Sequence, residues 1–170
     1  MSIRVPVGAF RPDKSQRRCA RRNGDLRISY QEPAPSREKF ELYEKYVRQW
    51  HARNDVEGAS AFEAFLYDSP LDDTLEFEYR DSSGRLLAVG ICDRCPKSLS
   101  TVYFYFDPDD RARGLGTFGA LNELAFAREH GMRYYYLGYW VKGCGAMEYK
   151  RNFRPNEVLQ SDGVWRRLSD

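Results

Sequence analysis

Two aromatic runs decide how this chain is read: Ser100-Thr101-Val102-Tyr103-Phe104-Tyr105-Phe106-Asp107-Pro108 and Tyr134-Tyr135-Tyr136-Leu137-Gly138-Tyr139-Trp140. Both are dense in residues that favour extended backbone. Between them lies the turn Arg111-Ala112-Arg113-Gly114-Leu115-Gly116. Leu115, Phe118, Leu121, Leu124 and Ala125 then recur at helical spacing, with Gly131 just past the end. Strand, helix, strand predicts a parallel pair joined by a crossover. Tyr and Trp offer flat apolar faces with polar tips, which suit nucleotide or aminoacyl groups. Alternation along a strand lets only every second side chain line such a slot, and the rest are core.

Working outward, residues 86–92 are nearly all apolar and read as a buried strand. Residues 74–80 alternate and read as its hairpin partner, joined through the turn Asp81-Ser82-Ser83-Gly84. Phe40, Tyr43, Tyr46, Val47 and Trp50 fall on one helical face, so a helix is expected over 36–51 with Ser36 as its cap. A shorter helix is expected over 60–68, and strands over 26–30, 99–106 and 132–140. A helix over 146–153 stops before Pro155, and residues 164–168 read as a closing strand. The order predicts an α+β layer, a mixed sheet flanked by helices.

At 170 residues the chain has the length of one domain. Residues 1–24 read as a basic arm or a first strand, with 25–170 as the single folded domain. The first 24 residues carry seven basic groups (Arg4, Arg11, Lys14, Arg17, Arg18, Arg21, Arg22) against Asp13, a net +6, while the remainder is −4. A basic stretch on a mildly acidic body points to a polyanion contact or to a solvated terminus. No apolar run is long enough to span a bilayer, and the start lacks a signal-peptide core, so a cytoplasmic protein is expected. Four cysteines include one C-x-x-C, Cys92 and Cys95. Neither His51 nor His130 sits at a spacing that would complete a metal site, so reduced thiols and no metal are expected.

The order of elements resembles the GNAT acyltransferase fold. Arg111 to Gly116 is similar to the R/Q-x-x-G-x-G/A loop with which acetyltransferases hold the coenzyme A pyrophosphate, marking Arg111, Gly114 and Gly116 as a donor loop. Such a turn aims backbone N–H groups at a phosphate, at the positive end of a helix. A narrower resemblance rests on Val5-Pro6-Val7-x-x-Phe10-x-Pro12-x-x-Ser15-Gln16-Arg17-Arg18, Asp93-x-x-Pro96, Leu99-Ser100-x-Val102-Tyr103 and Tyr105-Phe106-Asp107-Pro108. It continues through Leu115-Gly116-Thr117, Tyr136 to Trp140, Cys144, Met147-x-Tyr149-Lys150 and Phe153-Arg154-Pro155. In order, over nearly the whole chain, these resemble the aminoacyl-tRNA–protein transferases: the arginyltransferases and the bacterial aspartate/glutamate leucyltransferases. Two departures stand out. The family's N-terminal cysteine cluster is absent, which suggests an excised catalytic half, or a minimal relative acting alone or with a partner chain. Gly114 stands where the family more often has Ser.

The resemblance implies transfer of Leu or Arg from a charged tRNA to the N-terminal α-amine of a protein, particularly one starting with Asp or Glu. It implies no cofactor beyond the aminoacyl-tRNA itself and no membrane partner. Asp107 and Asp93 are the candidate proton acceptors. Each ends a strand, so both are expected to face one cleft, and each also suits a turn. Arg17, Arg18, Lys150 and Arg154 are candidate receptors for an acidic acceptor or for tRNA phosphates. Tyr103, Tyr105, Tyr136, Tyr139 and Trp140 are candidate walls for the terminal adenosine and the aminoacyl side chain. Two other readings stay open: an acyl-CoA N-acyltransferase using acetyl-CoA, and a module that binds tRNA or protein N-termini without turnover.

Overall fold

In the computed structural model, which describes residues 1–56 and 58–168 and only the backbone of Ala146, the chain begins with β1 (Ser2–Pro6), α1 (Lys14–Arg22) and β2 (Arg27–Gln31). It continues through α2 (Arg37–Trp50), α3 (Ala59–Leu66), β3 (Thr74–Arg80), β4 (Leu86–Cys95) and β5 (Ser98–Phe106). A 3-10 turn (Pro108–Arg113) leads into α4 (Leu115–Glu129) and β6 (Tyr134–Tyr139). The single turn α5 (Gly145–Glu148) runs on as a 3-10 turn (Tyr149–Asn152), followed by β7 (Glu157–Leu159) and β8 (Trp165–Arg167). One sheet holds all eight strands in the order β2-β3-β4-β5-β6-β1-β7-β8. Its neighbours are antiparallel except β5 and β6, which run parallel across the α4 crossover. The sheet is therefore mixed and flanked by helices.

The first 24 residues are part of this sheet and its cover. β1 inserts between β6 and β7 with Ile3 and Val5 fully buried. The sequence reading has no helix before residue 36, yet α1 forms and packs on α4. Its start is a capping box: the Asp13 carboxylate accepts from the Gln16 amide, and the Gln16 side chain accepts from the Asp13 amide. The Asp13-x-x-Gln16 pattern is the sequence signal of this cap, set within a run dominated by arginines. The short β7 was also unread, because three residues carry too little periodicity.

α2 packs on β4 and β5 from one face through Leu42, Tyr46 and Val47, with Ser36 as its cap. α4 covers β5 and β6 from the other face, burying Leu115, Phe118, Leu124, Phe126 and Ala127. It comes so close that a methyl group at Gly119 would lie 2.1 Å from the Phe104 ring, an approach only glycine permits. Between α2 and β3, the Lys39 ammonium pairs with the buried Glu76 and, at 3.0 Å, with Glu78. Glu76 also accepts from the Tyr67 hydroxyl at 3.0 Å. Buried carboxylates persist only when paired and hydrogen-bonded in this way.

Asp107 holds the corner where β5 ends. It is 6% exposed. Its Oδ1 accepts from the Asp109 amide at 3.0 Å and from Lys45 Nζ at 2.6 Å, and its Oδ2 accepts from Arg85 at 3.3 Å. Asp107 thereby ties α2 and the β3–β4 hairpin to the loop before α4. The expectation that Asp93 and Asp107 face one cleft is corrected: they do not share one. β4 and β5 are antiparallel with Asp93 opposite Ser100 and Ala88 opposite Phe106, so the two carboxylates lie at opposite ends of the ladder. The separation is about 20 Å at the rise of an extended strand. Asp93 instead accepts from Thr74 Oγ1 at 2.9 Å.

Asp107→Asn keeps the size of the side chain but strands the two cations. It should lower thermal stability by about 1–3 kcal/mol, read as a fall in Tm, because a buried hydrogen-bonded charge loses its role. Asp109→Asn, at an exposed position, should change it by less than about 0.5 kcal/mol. Equal Tm values for the two variants would remove Asp107 from its place as the corner anchor.

Candidate active site

β5 and β6 pair only where Ser98, Leu99 and Ser100 face Tyr134, Tyr135 and Tyr136. Beyond that point β5 stays with β4, and β6 stays with β1. The two parallel strands diverge and open a wedge toward their C-terminal ends. The divergence coincides with a β-bulge: Cys92 faces Thr101 and Ile91 faces Tyr103, leaving Val102 as the extra, exposed residue. Bulges re-aim backbone groups and often stand beside active sites.

Across the wedge, Gly138 adopts φ +78°, a conformation that favours glycine. A methyl group there would lie 3.8 Å from Lys150 Nζ and 3.9 Å from the Thr101 carbonyl oxygen, so these two groups flank the same gap. Lys150 is half-buried, and its Nζ donates to the Tyr139 carbonyl at 2.8 Å. Burial pushes its pKa below the usual lysine value, and no carboxylate offsets the shift. Beneath, Glu123 of α4 is 1% exposed and accepts from the Tyr135 hydroxyl at 2.5 Å. Burial drives its pKa upward, partly opposed by hydrogen bonds from Tyr135, Cys92 and Thr101. Glu123 escaped the sequence reading because a single acid on an amphipathic helix looks like part of its solvated side.

The aromatic candidates separate by burial. Tyr103 is half-buried at the wedge and packs on Tyr43 and Phe65, at 6.1 and 5.3 Å between ring centroids. Tyr105 is not a wall: it is fully buried among Tyr43, Phe62 and Tyr67, because its alternation register points into the α2–β5 layer. Trp140 is likewise core at 3% exposure. Tyr136 is half-buried on the face that carries Arg4 and Trp165, and Tyr139 is exposed at the tip of β6. Arg154 is exposed beyond the 3-10 turn that carries Lys150.

Arg17 and Arg18 stand on the exposed side of α1. Lys14, Arg17, Arg18, Arg21 and Arg22 form one helical stripe, opposite the buried Gln16 and Cys19. Among the described residues no ion pair joins any of the five to a carboxylate. The end of α1 also holds the loop before α4: Arg22, from the exposed stripe, donates to the Ala112 carbonyl, Asn23 to that of Arg113 at 2.9 Å, and the Cys19 thiol to that of Gly114 at 3.4 Å. Gly114 adopts φ +71° and turns the chain into α4, whose first turn has no side-chain cap. Its leading amides and the open space at Gly116 face outward. Arg111 lines a surface hollow of about 270 Å³ with Gln49, Trp50, Pro108 and Asp109.

Cys92 is buried and Cys95 exposed, so the C-x-x-C pair is split between interior and surface. Among the described residues no cluster of three or more His, Cys, Asp or Glu side chains suits a metal ion. No helix among them is long and apolar enough to cross a membrane.

Structures with this architecture include the C-terminal domain of a putative lysylphosphatidylglycerol synthetase from Agrobacterium fabrum, at TM-score 0.68 and 16% identity, covering 98% of this chain and 57% of that one. An acetyltransferase from Streptococcus agalactiae matches at TM-score 0.56 and 15% identity, covering 82% and 88%. At such identities these likenesses establish the fold, a GNAT-like acyltransferase layer. Sequence relatives are nearer. The aspartate/glutamate leucyltransferase of Stenotrophomonas maltophilia (strain K279a) is 42% identical over 165 residues, covering 93% of this chain. That of Hahella chejuensis (strain KCTC 2396) is 38% identical over 164 residues, covering 95%. The chain spans 65% of the length of the first and 69% of the second. Residues 38–160 match the family model described as "Arginine-tRNA-protein transferase, C terminus". With more than half of its length inside that match, the chain belongs to the family of arginine-tRNA-protein transferase C-terminal domains.

Proposed function

We propose that this domain transfers an aminoacyl group, leucyl or arginyl, from the 3′ end of a charged tRNA to the free α-amine of a protein, favouring one that begins with Asp or Glu. The observation that carries this reading is the wedge between β5 and β6 with the Lys150 amine on its wall. The donor ester is already activated, so no cofactor is required, and the domain's main work is to align two large substrates. The attacking amine forms the new amide bond as the ester bond to the ribose breaks. The amine's proton is lost, and the departing ribose oxygen takes one up. Lys150 gives that oxygen its proton, a task suited to an amine whose pKa burial has brought nearer to neutrality. Asp107 is fully engaged in its corner, so the proton of the amine leaves to water. Because charged tRNA is a cytoplasmic molecule, this reading also places the reaction in the cytoplasm.

The exposed arginine stripe of α1 supplies the RNA contact. It is held by hydrogen bonds to the loop that opens α4, so a polyanion on it continues toward the Arg111 hollow. The same uncapped α4 terminus suits the phosphates of coenzyme A, so acetyl-CoA is the competing donor.

The first test is incubation with a mixed pool of charged tRNAs and peptides starting with Asp, Glu or Ala, read by mass. Addition of one leucyl or arginyl residue to the acidic peptides is expected. Acetylation instead, or no product, defeats the reading. Lys150→Met should cut kcat by about 100-fold or more. In the wild type, kcat/KM should rise with pH as the acceptor amine loses its proton near about 8. It should fall again below the ordinary lysine pKa, as the depressed Lys150 deprotonates. Arg17→Gln, Arg18→Gln and Arg21→Gln together should weaken tRNA binding and flatten its salt dependence by about two units of slope, whereas an unchanged slope would move the RNA elsewhere.

A further inference from the structure

The wedge sits over a buried acid, Glu123, which is 1% exposed. Glu123 projects from α4 beneath the point where β5 and β6 part company. Tyr135 of β6 donates to its Oε2 at 2.5 Å, and Cys92 of β4 and Thr101 of β5 lie near enough to the same carboxyl to oppose the rise of its pKa. Oε1 has no partner at hydrogen-bonding length. The space it occupies is kept open by a glycine: a methyl group at Gly90 would lie 2.7 Å from Oε1. Thr101 is the last paired residue of β5 before the Val102 bulge, and Tyr135 lies in the short paired stretch of β6. One carboxyl thus ties α4 to β6 and packs over Gly90 of β4, on the α4 side of the sheet, immediately before β5 and β6 separate.

Such an arrangement is costly to maintain. Burying an acid forfeits its hydration, and a leucine in its place would lose nothing by that measure. A residue serving only to fill the core has no need of a carboxyl held by a phenol from β6 in a space that Gly90 of β4 keeps open. What the carboxyl adds is direction, because its hydrogen bond fixes β6 relative to α4, which also packs on β5.

We propose that Glu123 is a positioning residue: it sets the width of the wedge and the aim of the Thr101–Val102 bulge, and so the alignment of the bound acyl donor with Lys150, without touching substrate. The link to turnover rests on the reading in the preceding subsection; the link to wedge geometry does not. Glu123→Gln keeps the shape and an acceptor for the Tyr135 hydroxyl. Glu123→Ala removes both, and Tyr135→Phe removes only the donor.

Two measurements on the full chain test this. The first, independent of any reaction, is amide hydrogen exchange. Exchange over residues 99–106 and 134–140 should rise by about tenfold or more in Glu123→Ala, less in Tyr135→Phe, and stay near wild type in Glu123→Gln, while α2 is unaffected. The second is steady-state transfer, assayed well below each variant's Tm. Glu123→Ala should lose about tenfold or more in kcat with KM changed less than about threefold, and Glu123→Gln should restore kcat. Unchanged exchange at the wedge overturns the proposal, as does wild-type kcat in a folded Glu123→Ala. A Glu123→Gln variant as slow as Glu123→Ala also overturns it, since the acid itself would then be required. If the wild type transfers nothing, the functional reading fails, and the exchange data still decide the role of Glu123 in the wedge.

Discussion

β5 and β6 share backbone hydrogen bonds over three residue pairs and then separate, although each continues for several residues. A strand whose neighbour leaves it exposes donors and acceptors that something else must satisfy. Here the Lys150 amine takes the Tyr139 carbonyl, and the Val102 bulge takes up the mismatch on β5. The rest of the molecule is arranged around keeping the gap open. β1 holds β6 from its far side, β4 holds β5, and α4 spans the two beneath with Gly119 pressed on Phe104. A sheet paired along its full length would be more stable and would have no cleft.

The abundance of aromatic residues serves two ends that only the fold distinguishes. Tyr105, Tyr79 and Tyr135 are fully buried, and burial lifts the pKa of each phenol, so they remain neutral across the physiological range. Tyr103, two residues before Tyr105 on the same face, keeps part of its ring accessible. The same β-prone sequence therefore supplies both core rings and a partly exposed one. On the uncovered side of β6 and β1, the Arg4 guanidinium lies 3.9 Å from the Tyr134 ring and 4.1 Å from that of Trp165, and pairs with Glu157. The cation–π stack fastens β8 to the sheet where no helix packs.

Charge is organised by depth. Interior acids have partners: Glu76 and Glu78 hold Lys39, and Asp107 holds Lys45 and Arg85. The α1 cations that have no carboxylate partner among the described residues lie outside, on a helix whose inner side holds the loop before α4. An amphipathic helix can serve a loop and a polyanion at once because its two faces are independent.

Local pattern was enough for much of this. The parallel β5–α4–β6 crossover, the β3–β4 hairpin, the Ser36 cap and the GNAT-like order follow from periodicity and turn chemistry, which act over a few residues. The turn at Gly114 into α4 follows for the same reason, since its φ of +71° is one that few residues other than glycine adopt. Tertiary structure alone decided the rest. That Asp93 and Asp107 lie at opposite ends of a ladder depends on antiparallel register, and that Tyr105 is core while Tyr103, on the same α2-covered face, keeps part of its ring accessible depends on how far along β5 the packing of α2 and α3 reaches. Lys150 and Glu123 reach the same wedge from segments 27 residues apart in sequence because the sheet brings β6 back beside β5. Strand pairing joins residues that share no local pattern, so the place where it stops, which makes the site, is written in no single stretch of the chain.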